Sequence, residues 1–263
     1  MQQIDSLLHR KIKARLYLNA VLPAFEDLLA QSEQAREILG ERAFTLTFQT
    51  SSGLKSSLTF GDQTCLFHKS GADRSNIVIH FLTEEHLNKE FEGKGFRLPI
   101  PIKGSTRIGD IKAFKALSAL LEATLRPPTK EQLEDIDFHN MHVGIQLGIA
   151  LRATVELATH EKLSRTIMKN TPEGIAYFSV GKDGYGAWLE WRHGRLISGE
   201  DLPATRADVS VQFTDADTAL RSVGNHIDVM AAIGLGDITI EGLIPLADSL
   251  GYIFERIPLY ITP

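Results

Sequence analysis

ADVSVQFTDADTALRSVGNHIDVMAAIGLGDITIEGLIPLADSLGYIF, residues Ala207–Phe254, holds in one stretch every kind of element that the chain uses. Val209, Val211 and Phe213 alternate with polar residues, which is the period-two pattern of a strand with one covered face. Thr214, followed by Asp215 and Asp217, reads as an N-cap with acids in the first turn of a helix, where the dipole favours them. Ile227, Val229, Met230, Ile233 and Leu235 then form a Met-bearing, Ala/Gly-rich segment with no charge after Asp228. Such a segment is either core or an adaptable wall around a variable shape. Ile238 and Ile240 make a second alternating strand that ends on Gly242. Leu243, Leu246, Ala247, Leu250, Ile253 and Phe254 close the stretch as a helical stripe at three- and four-residue spacing. Nothing in the stretch is poised for chemistry.

The pattern occurs twice. SNIVIHFLTEEHL (Ser75–Leu87) lies over ADVSVQFTDADTA (Ala207–Ala219), so that Ile77, Ile79 and Phe81 match Val209, Val211 and Phe213. IPIKG (Ile100–Gly104) lies over ITIEG (Ile238–Gly242), and SLTFGDQ (Ser57–Gln63) over WLEWRHG (Trp188–Gly194). A fixed order of matching pieces is the mark of an internal repeat. Each half reads helix, hairpin, strand, short helices, strand, helix. The hairpins are FTLTFQT with KSSLTF through Ser51-Ser52-Gly53, and IAYFSV with GAWLEWR through Gly181-Lys182-Asp183-Gly184. Thr129 with Gln132 after Pro127-Pro128 marks a capping box, Thr83 with Glu84 and Glu85 marks a helix start, and Pro172 with Gly174 marks a stop. Pro23 should kink or restart the first helix. The seam falls at Arg126–Gln132, giving two units, 1–126 and 127–263.

Composition excludes several classes of function. With 263 residues, 43% hydrophobic and 23% charged, the chain can bury a sizeable core. A net charge of −5 argues against a nucleic-acid footprint, and Arg10, Lys11, Lys13 and Arg15 read as a solvated helix face. One cysteine, Cys65, excludes a disulfide framework within the chain and suits a reducing, cytoplasmic setting; between apolar neighbours it reads as a buried structural thiol. The opening MQQIDSLLHRKIKARLYL does not read as a signal peptide, and no apolar run approaches the roughly 20 residues that span a bilayer. A soluble protein is expected.

Candidate chemistries thin out quickly. His139 and His142 stand three apart near Asp135 and Asp137, either the start of a metal site or two packing and capping histidines. His160 and Glu161 read as a solvated helix surface. TSSGLKSS lacks phosphate-loop spacing, GLG precedes a strand where a dinucleotide fingerprint would follow one, and there is no nucleophile elbow. Gly144 and Gly148 inside an apolar helix would let a neighbour pack closely. Trp188 and Trp191 must face opposite sides of their strand.

The residues of Ala207–Phe254 resemble the lipid-binding domain of the sterol carrier protein type 2 family. The resemblance is carried by Ala207-Asp208 opening a strand, the acidic start at Thr214-Asp215, the segment from Gly224 to Gly234-Leu235-Gly236, the Ile238-x-Ile240-x-Gly242 strand and the helix from Leu246 to Phe254. The first half resembles the family through Asn76–Phe81 and Ile100–Gly104, and departs from it in NKEFEGKGFRLP, which is charged where the family is apolar. The resemblance implies an α+β fold of two units. Each would be a curved, mostly antiparallel or mixed five-stranded sheet covered on one face by helices, with an apolar tunnel between. It further implies a non-catalytic carrier of a fatty acyl, acyl-CoA, sterol- or isoprenoid-like lipid, with no cofactor, no metal and no nucleic-acid partner, handing its ligand to a membrane or protein acceptor. The wall expected by position is Val211, Phe213, Leu220, Val229, Met230, Ile233, Ile238, Ile240, Leu246, Leu250 and Phe254. The alternatives are a scaffold with filled cores that acts through protein partners, and a metal-assisted enzyme built on His139 and His142.

Overall fold

The computed structural model describes residues 6–95, 100–129, 132, 135–181, 185–200, 202–223 and 227–261. The expected turn residues Lys182–Gly184 and the expected helix residue Gly224 lie outside the described residues. The chain divides into two compact units, Met1–Arg126 and Pro127–Pro263.

In the first unit the elements are α1 (Ser6–Leu16), a π-helical turn (Tyr17–Val21), α2 (Ala24–Gln31), α3 (Glu33–Leu39), β1 (Phe44–Thr50), β2 (Lys55–Gly61), β3 (Thr64–Lys69), β4 (Ile77–Phe81), α4 (Glu84–Phe91), β5 (Ile100–Lys103) and α5 (Ile108–Leu125). In the second they are α6 (Ile136–His160), α7 (Lys162–Lys169), β6 (Gly174–Val180), β7 (Gly186–Arg192), β8 (Arg195–Glu200), β9 (Val209–Phe213), α8 (Ala216–Val223), α9 (Val229–Leu235), β10 (Ile238–Gly242), α10 (Ile244–Phe254) and a 3₁₀ turn (Ile257–Leu259).

Each unit has one five-stranded sheet: β3-β2-β1-β4-β5 in the first and β10-β9-β6-β7-β8 in the second, the same order read from opposite edges. β1 runs parallel to β4 and β6 parallel to β9, while every other pair is antiparallel. The registers match the repeat read in the sequence, since Phe48 sits opposite Ile79 in one sheet and Phe178 opposite Val211 in the other. A shared local device fixes both sheets. Asn76 Oδ1 accepts from the Thr45 amide at 2.8 Å, and Asp208 Oδ2 accepts from the Ile175 amide at 2.8 Å. Gly104 and Gly242 pass over these residues at φ of 79° and 108°, so close that a Cβ would collide with the carbonyl oxygens of Asn76 and Asp208. Only glycine takes this backbone against that neighbour.

The hydrophobic pattern showed four strands per half. The fifth, β3 and β8, follows a two-residue hairpin in each unit: Asp62-Gln63 and His193-Gly194, all four residues at positive φ. β3 and β8 each bury one residue, Cys65 and Leu196 respectively, so the alternation that identifies a half-buried strand is nearly absent from them. Pro23 does restart the helix, after a π-helical turn closed by the Leu22 amide on the Tyr17 carbonyl. Thr129 and Gln132 exchange both bonds of the capping box, at 2.9 and 3.3 Å. Thr83 caps α4 by accepting from the His86 amide. The cap of α8 is Asp215, whose carboxylate accepts from the Thr218 amide at 2.8 Å, and not Thr214, whose hydroxyl is turned to the Asp237 carbonyl.

Helices cover one face of each sheet, but the two interiors differ. In the first unit, seven rings form one connected cluster: Tyr17, Phe25, Phe44, Phe48, Phe60, Phe91 and Phe114, with centroids 4.8 to 6.2 Å apart. Rings at such spacing and mixed tilts make stacked and edge-to-face contacts throughout the cluster. The other face is a hydroxyl ladder in which Thr45 meets Thr59 at 3.1 Å, Thr47 meets Ser57 at 2.6 Å, and Thr59 meets His68 at 3.0 Å. In the second unit the rings are scattered: among the described residues the ring contacts are two separate pairs, Phe178 on Phe254 edge-to-face at 5.6 Å and Phe138 on His142 at 6.0 Å, while Phe213 and Trp191 are buried among aliphatic side chains. Trp191 is buried and donates to the Thr171 carbonyl at 3.3 Å, whereas Trp188 lies on the other face over Gly199.

Candidate functional site between sheet and helices of the second unit

Strand register sets which side chains meet on the helix-covered face. Ile240, Val211, Phe178, Ala187 and Glu200 form one row from β10 through β9, β6 and β7 to β8. Ile238, Phe213 and Val180 begin the next. Over these rows α10 lays Leu246, Leu250 and Ile253, all fully buried, and α6 crosses β7 and β8.

The residues expected from the sequence to form a wall differ in burial. Val211, Phe213, Ile238, Leu246 and Leu250 are buried, while Leu220, Ile233, Ile240 and Phe254 are half-buried. Val229 and Met230 are not in the interior, being 37% and 76% exposed, and Leu235 is 77% exposed. The reason is local. Asp228 caps α9 by accepting from the Met230 and Ala231 amides, Gly236 ends the helix in the left-handed region, and Ala232 is the residue that this uncharged helix buries. Sequence reasoning missed Phe178 and Ala187, which share the central row with Val211, because β6 and β7 were read as a hairpin without a register.

At the β8 end the row turns polar. Arg152 of α6 donates to Glu200 at 3.3 Å, with side-chain exposures of 15% and 51%, so the pair stands at the boundary between interior and solvent. Gly144 and Gly148 do admit a close neighbour: the Tyr185 ring lies over both, and a Cβ on Gly144 would stand 3.0 Å from it.

The histidine pair does not form a metal centre. His142 is buried, stacked on Phe138 at 6.0 Å and bonded to the Gln146 amide at 3.1 Å. His139 Nε2 is enclosed without a hydrogen-bond partner, and among the described residues no group of three His, Cys, Asp or Glu could hold a metal ion. No helix among them is long and apolar enough to cross a membrane.

Glu161 is not the solvated residue that its charged context suggested. Its carboxylate is buried and accepts from Arg256 Nε at 2.6 Å and Nη2 at 2.5 Å, from the Tyr260 hydroxyl at 2.7 Å and from the Ser164 hydroxyl at 2.5 Å. Burial alone would raise its pKa, but the bonds from Arg256, Ser164 and Tyr260 outweigh burial and hold the carboxyl below the usual carboxylate range. The partners lie 95 and 99 residues away, beyond the reach of local pattern reading. This clasp fastens the chain after α10 to the junction of α6 and α7.

No family model matches the chain, and no curated protein matches it. Solved structures do. The chain is similar to the sterol carrier protein domain 2 of Helicoverpa armigera, at 15% identity over 45% of this chain and 92% of that one, with a TM-score of 0.36. It is also similar to sterol carrier protein 2 of Yarrowia lipolytica (16% identity, 41% and 85% covered, TM-score 0.32). Sterol carrier protein 2 like 2 of Aedes aegypti gives 20% identity, 39% and 97% covered, and a TM-score of 0.25. The share of this chain matched each time is about that of one unit. With identities and TM-scores this low, the fold stands on the strand order and registers above.

Proposed function

We propose that the protein is a non-catalytic lipid carrier whose second unit holds an apolar chain between sheet and helices, and whose first unit is packed solid. The observation that carries this reading is the contrast between the interiors: seven rings in one connected cluster in the first unit, and in the second two separate ring pairs with aliphatic side chains between sheet and helices. Aliphatic side chains around a row such as Ile240–Val211–Phe178–Ala187 can part to admit a chain at little cost, because a ligand methylene replaces their own contacts. Burial contributes roughly 0.8 kcal/mol per methylene, so affinity needs few polar groups. The sequence resemblance of Ala207–Phe254 to a lipid-binding family supports the same reading. Val211, Phe213, Ile238, Ile240, Leu246, Leu250 and Phe254 are the proposed wall, joined by Phe178. Exposed Val229, Met230 and Leu235 on α9 would meet the membrane or protein acceptor that receives the ligand.

A second reading, a scaffold acting through protein partners, is favoured by the filled first unit and the same exposed α9. Native mass spectrometry of freshly purified protein, followed by solvent extraction, separates the two. The carrier reading expects an adduct of lipid mass that vanishes on extraction and returns with added fatty acid, acyl-CoA or phospholipid. A bare mass that none of these shifts would leave the scaffold.

A further inference from the structure

The second sheet has a face that the carrier reading leaves unused. Phe178 meets Phe254 of α10 on the helix side, so its neighbour Tyr177 points to the opposite side. Trp188 is the register partner of Tyr177 and shares that side. Both rings lie down over the sheet. A Cβ on Gly199 of β8 would collide with the Trp188 indole at Cε2, Cζ2 and Nε1, and a Cβ on Gly186 of β7 would collide with the Tyr177 ring at Cζ and the hydroxyl. Each ring thus crosses one inter-strand gap in the same direction, Tyr177 from β6 to β7 and Trp188 from β7 to β8. Among the described residues neither the Trp188 Nε1–H nor the Tyr177 O–H has a protein partner, and neither atom is enclosed. Trp191, by contrast, turns its indole N–H inward to the Thr171 carbonyl. The charges nearest the rings are carboxylates. Ser210 lies beside Tyr177 in the row toward β10 and Glu241 beside Ser210, while Glu190 stands two residues along β7 from Trp188. The cations Arg192 and Arg195 come one pair further, and Glu190 holds Arg192 at 2.9 Å.

We infer that Tyr177 and Trp188 form a surface platform for a neutral sugar ring of a soluble oligosaccharide. The electron-rich ring faces attract the polarised C–H bonds on the flat side of a pyranose. Sugar oxygens accept from the two unpaired donors, and sugar hydroxyls donate to Glu190 and Glu241 in charge-assisted bonds. A nucleotide or another phosphorylated ligand would bring its anion against these carboxylates. A glycolipid seated by its chain in the interior could not reach the platform, because the sheet stands between the two. The assignment therefore stands apart from the carrier reading.

The test follows the two indole N–H signals of the full-length chain by proton–nitrogen NMR, one for each tryptophan. Titration with cellotetraose should move the Trp188 signal at about millimolar concentration, the strength of stacking without a pocket. The Trp191 signal, on the helix side, should stay nearly in place. Tyr177→Ala should weaken the titration about tenfold, and Tyr177→Phe, which removes the hydroxyl alone, a few-fold. An unmoved Trp191 signal shows each variant to be folded. A galacturonate tetramer should bind more weakly than cellotetraose, and Glu190→Gln should narrow that difference. No movement of Trp188 with cellotetraose, maltotetraose or chitotetraose at roughly 20 mM, well above the expected dissociation constant, would overturn the platform. Unchanged binding by Tyr177→Ala, a larger movement of Trp191 than of Trp188, or tighter binding of galacturonate would overturn it as well. So would a Trp188 shift given by phosphatidylcholine vesicles and by none of the sugars. Each of these failures leaves the lipid adduct of the carrier reading untouched, since that is read by mass. If Tyr177→Ala does not fold, Tyr177→Phe decides.

Discussion

Glu161 holds a buried ion pair in the second unit. Its carboxylate is buried with Arg256 bound through two nitrogens, and breaking such a pair leaves an enclosed guanidinium without its anion. Glu161→Gln should therefore cost about 3 kcal/mol, the lower end for a buried pair because Arg256 keeps some contact with water; urea unfolding at pH 7 reads it. The pH dependence has a definite sign. The folded-state pKa lies below the unfolded one, so the stabilisation is present above the ordinary carboxylate range and is lost as pH falls through the folded value. The gap between wild type and Glu161→Gln should narrow in acid, and a gap unchanged down to pH 2 would contradict the buried clasp. Cys65 is a second residue with a clear expectation. Burial, with Glu26 and Asp27 nearby, pushes its thiol far up, so little thiolate exists at neutral pH. It should resist a thiol reagent in the folded protein and react stoichiometrically in denaturant; rapid labelling of native protein would contradict this.

Hairpins are where the elements were least legible and are most open to a test. The strands β1, β2, β4, β6, β7, β9 and β10 are readable because apolar side chains alternate with polar ones along them. β3 and β8 are not, since a strand that buries only Cys65 or Leu196 leaves no period to see. What does mark them is the turn. Asp62-Gln63 and His193-Gly194 place both central residues in the left-handed region, as a two-residue hairpin loop requires. Gln63, at φ 58°, pays the steric penalty that Gly194 avoids in the matching position. Gln63→Gly should stabilise the protein by about 1 kcal/mol, since a left-handed non-glycine residue costs that order. A calorimetric melting temperature that falls would mean that the Gln63 side chain makes a contribution larger than the strain. Caps behaved in the same way as strands: Thr83 and the Thr129–Gln132 box were legible from spacing, while the choice of Asp215 over Thr214 depended on where the Asp237 carbonyl lies.

At the scale of the whole molecule, two units of one topology hold different interiors, and patterning along the chain does not encode that difference. Phe25, Phe44, Phe60 and Phe114 interlock because α2, β1, β2 and α5 converge, although no two of these elements present the rings as a motif. The proposed wall was half legible for the converse reason: its apolar residues follow the period, but Met230 follows it too and faces outward. The division of labour predicts two unlike outcomes from the same kind of substitution. Phe60→Ala removes a fully buried ring from the first unit's cluster and should cost about 3–5 kcal/mol, yet leave lipid uptake at its wild-type level. Phe178→Ala removes the ring that meets Phe254 within the second unit's row, so it should change lipid affinity about tenfold or more, with the sign set by whether the ligand fills the gap. Trp188 and Trp191 both lie on β7, so their emission reports on the second unit and follows its unfolding separately. Lipid-linked changes in that emission should persist in Phe60→Ala and be altered in Phe178→Ala. The reverse result would move the ligand to the first unit, because a core of interlocked rings that yields to a lipid is not a solid core.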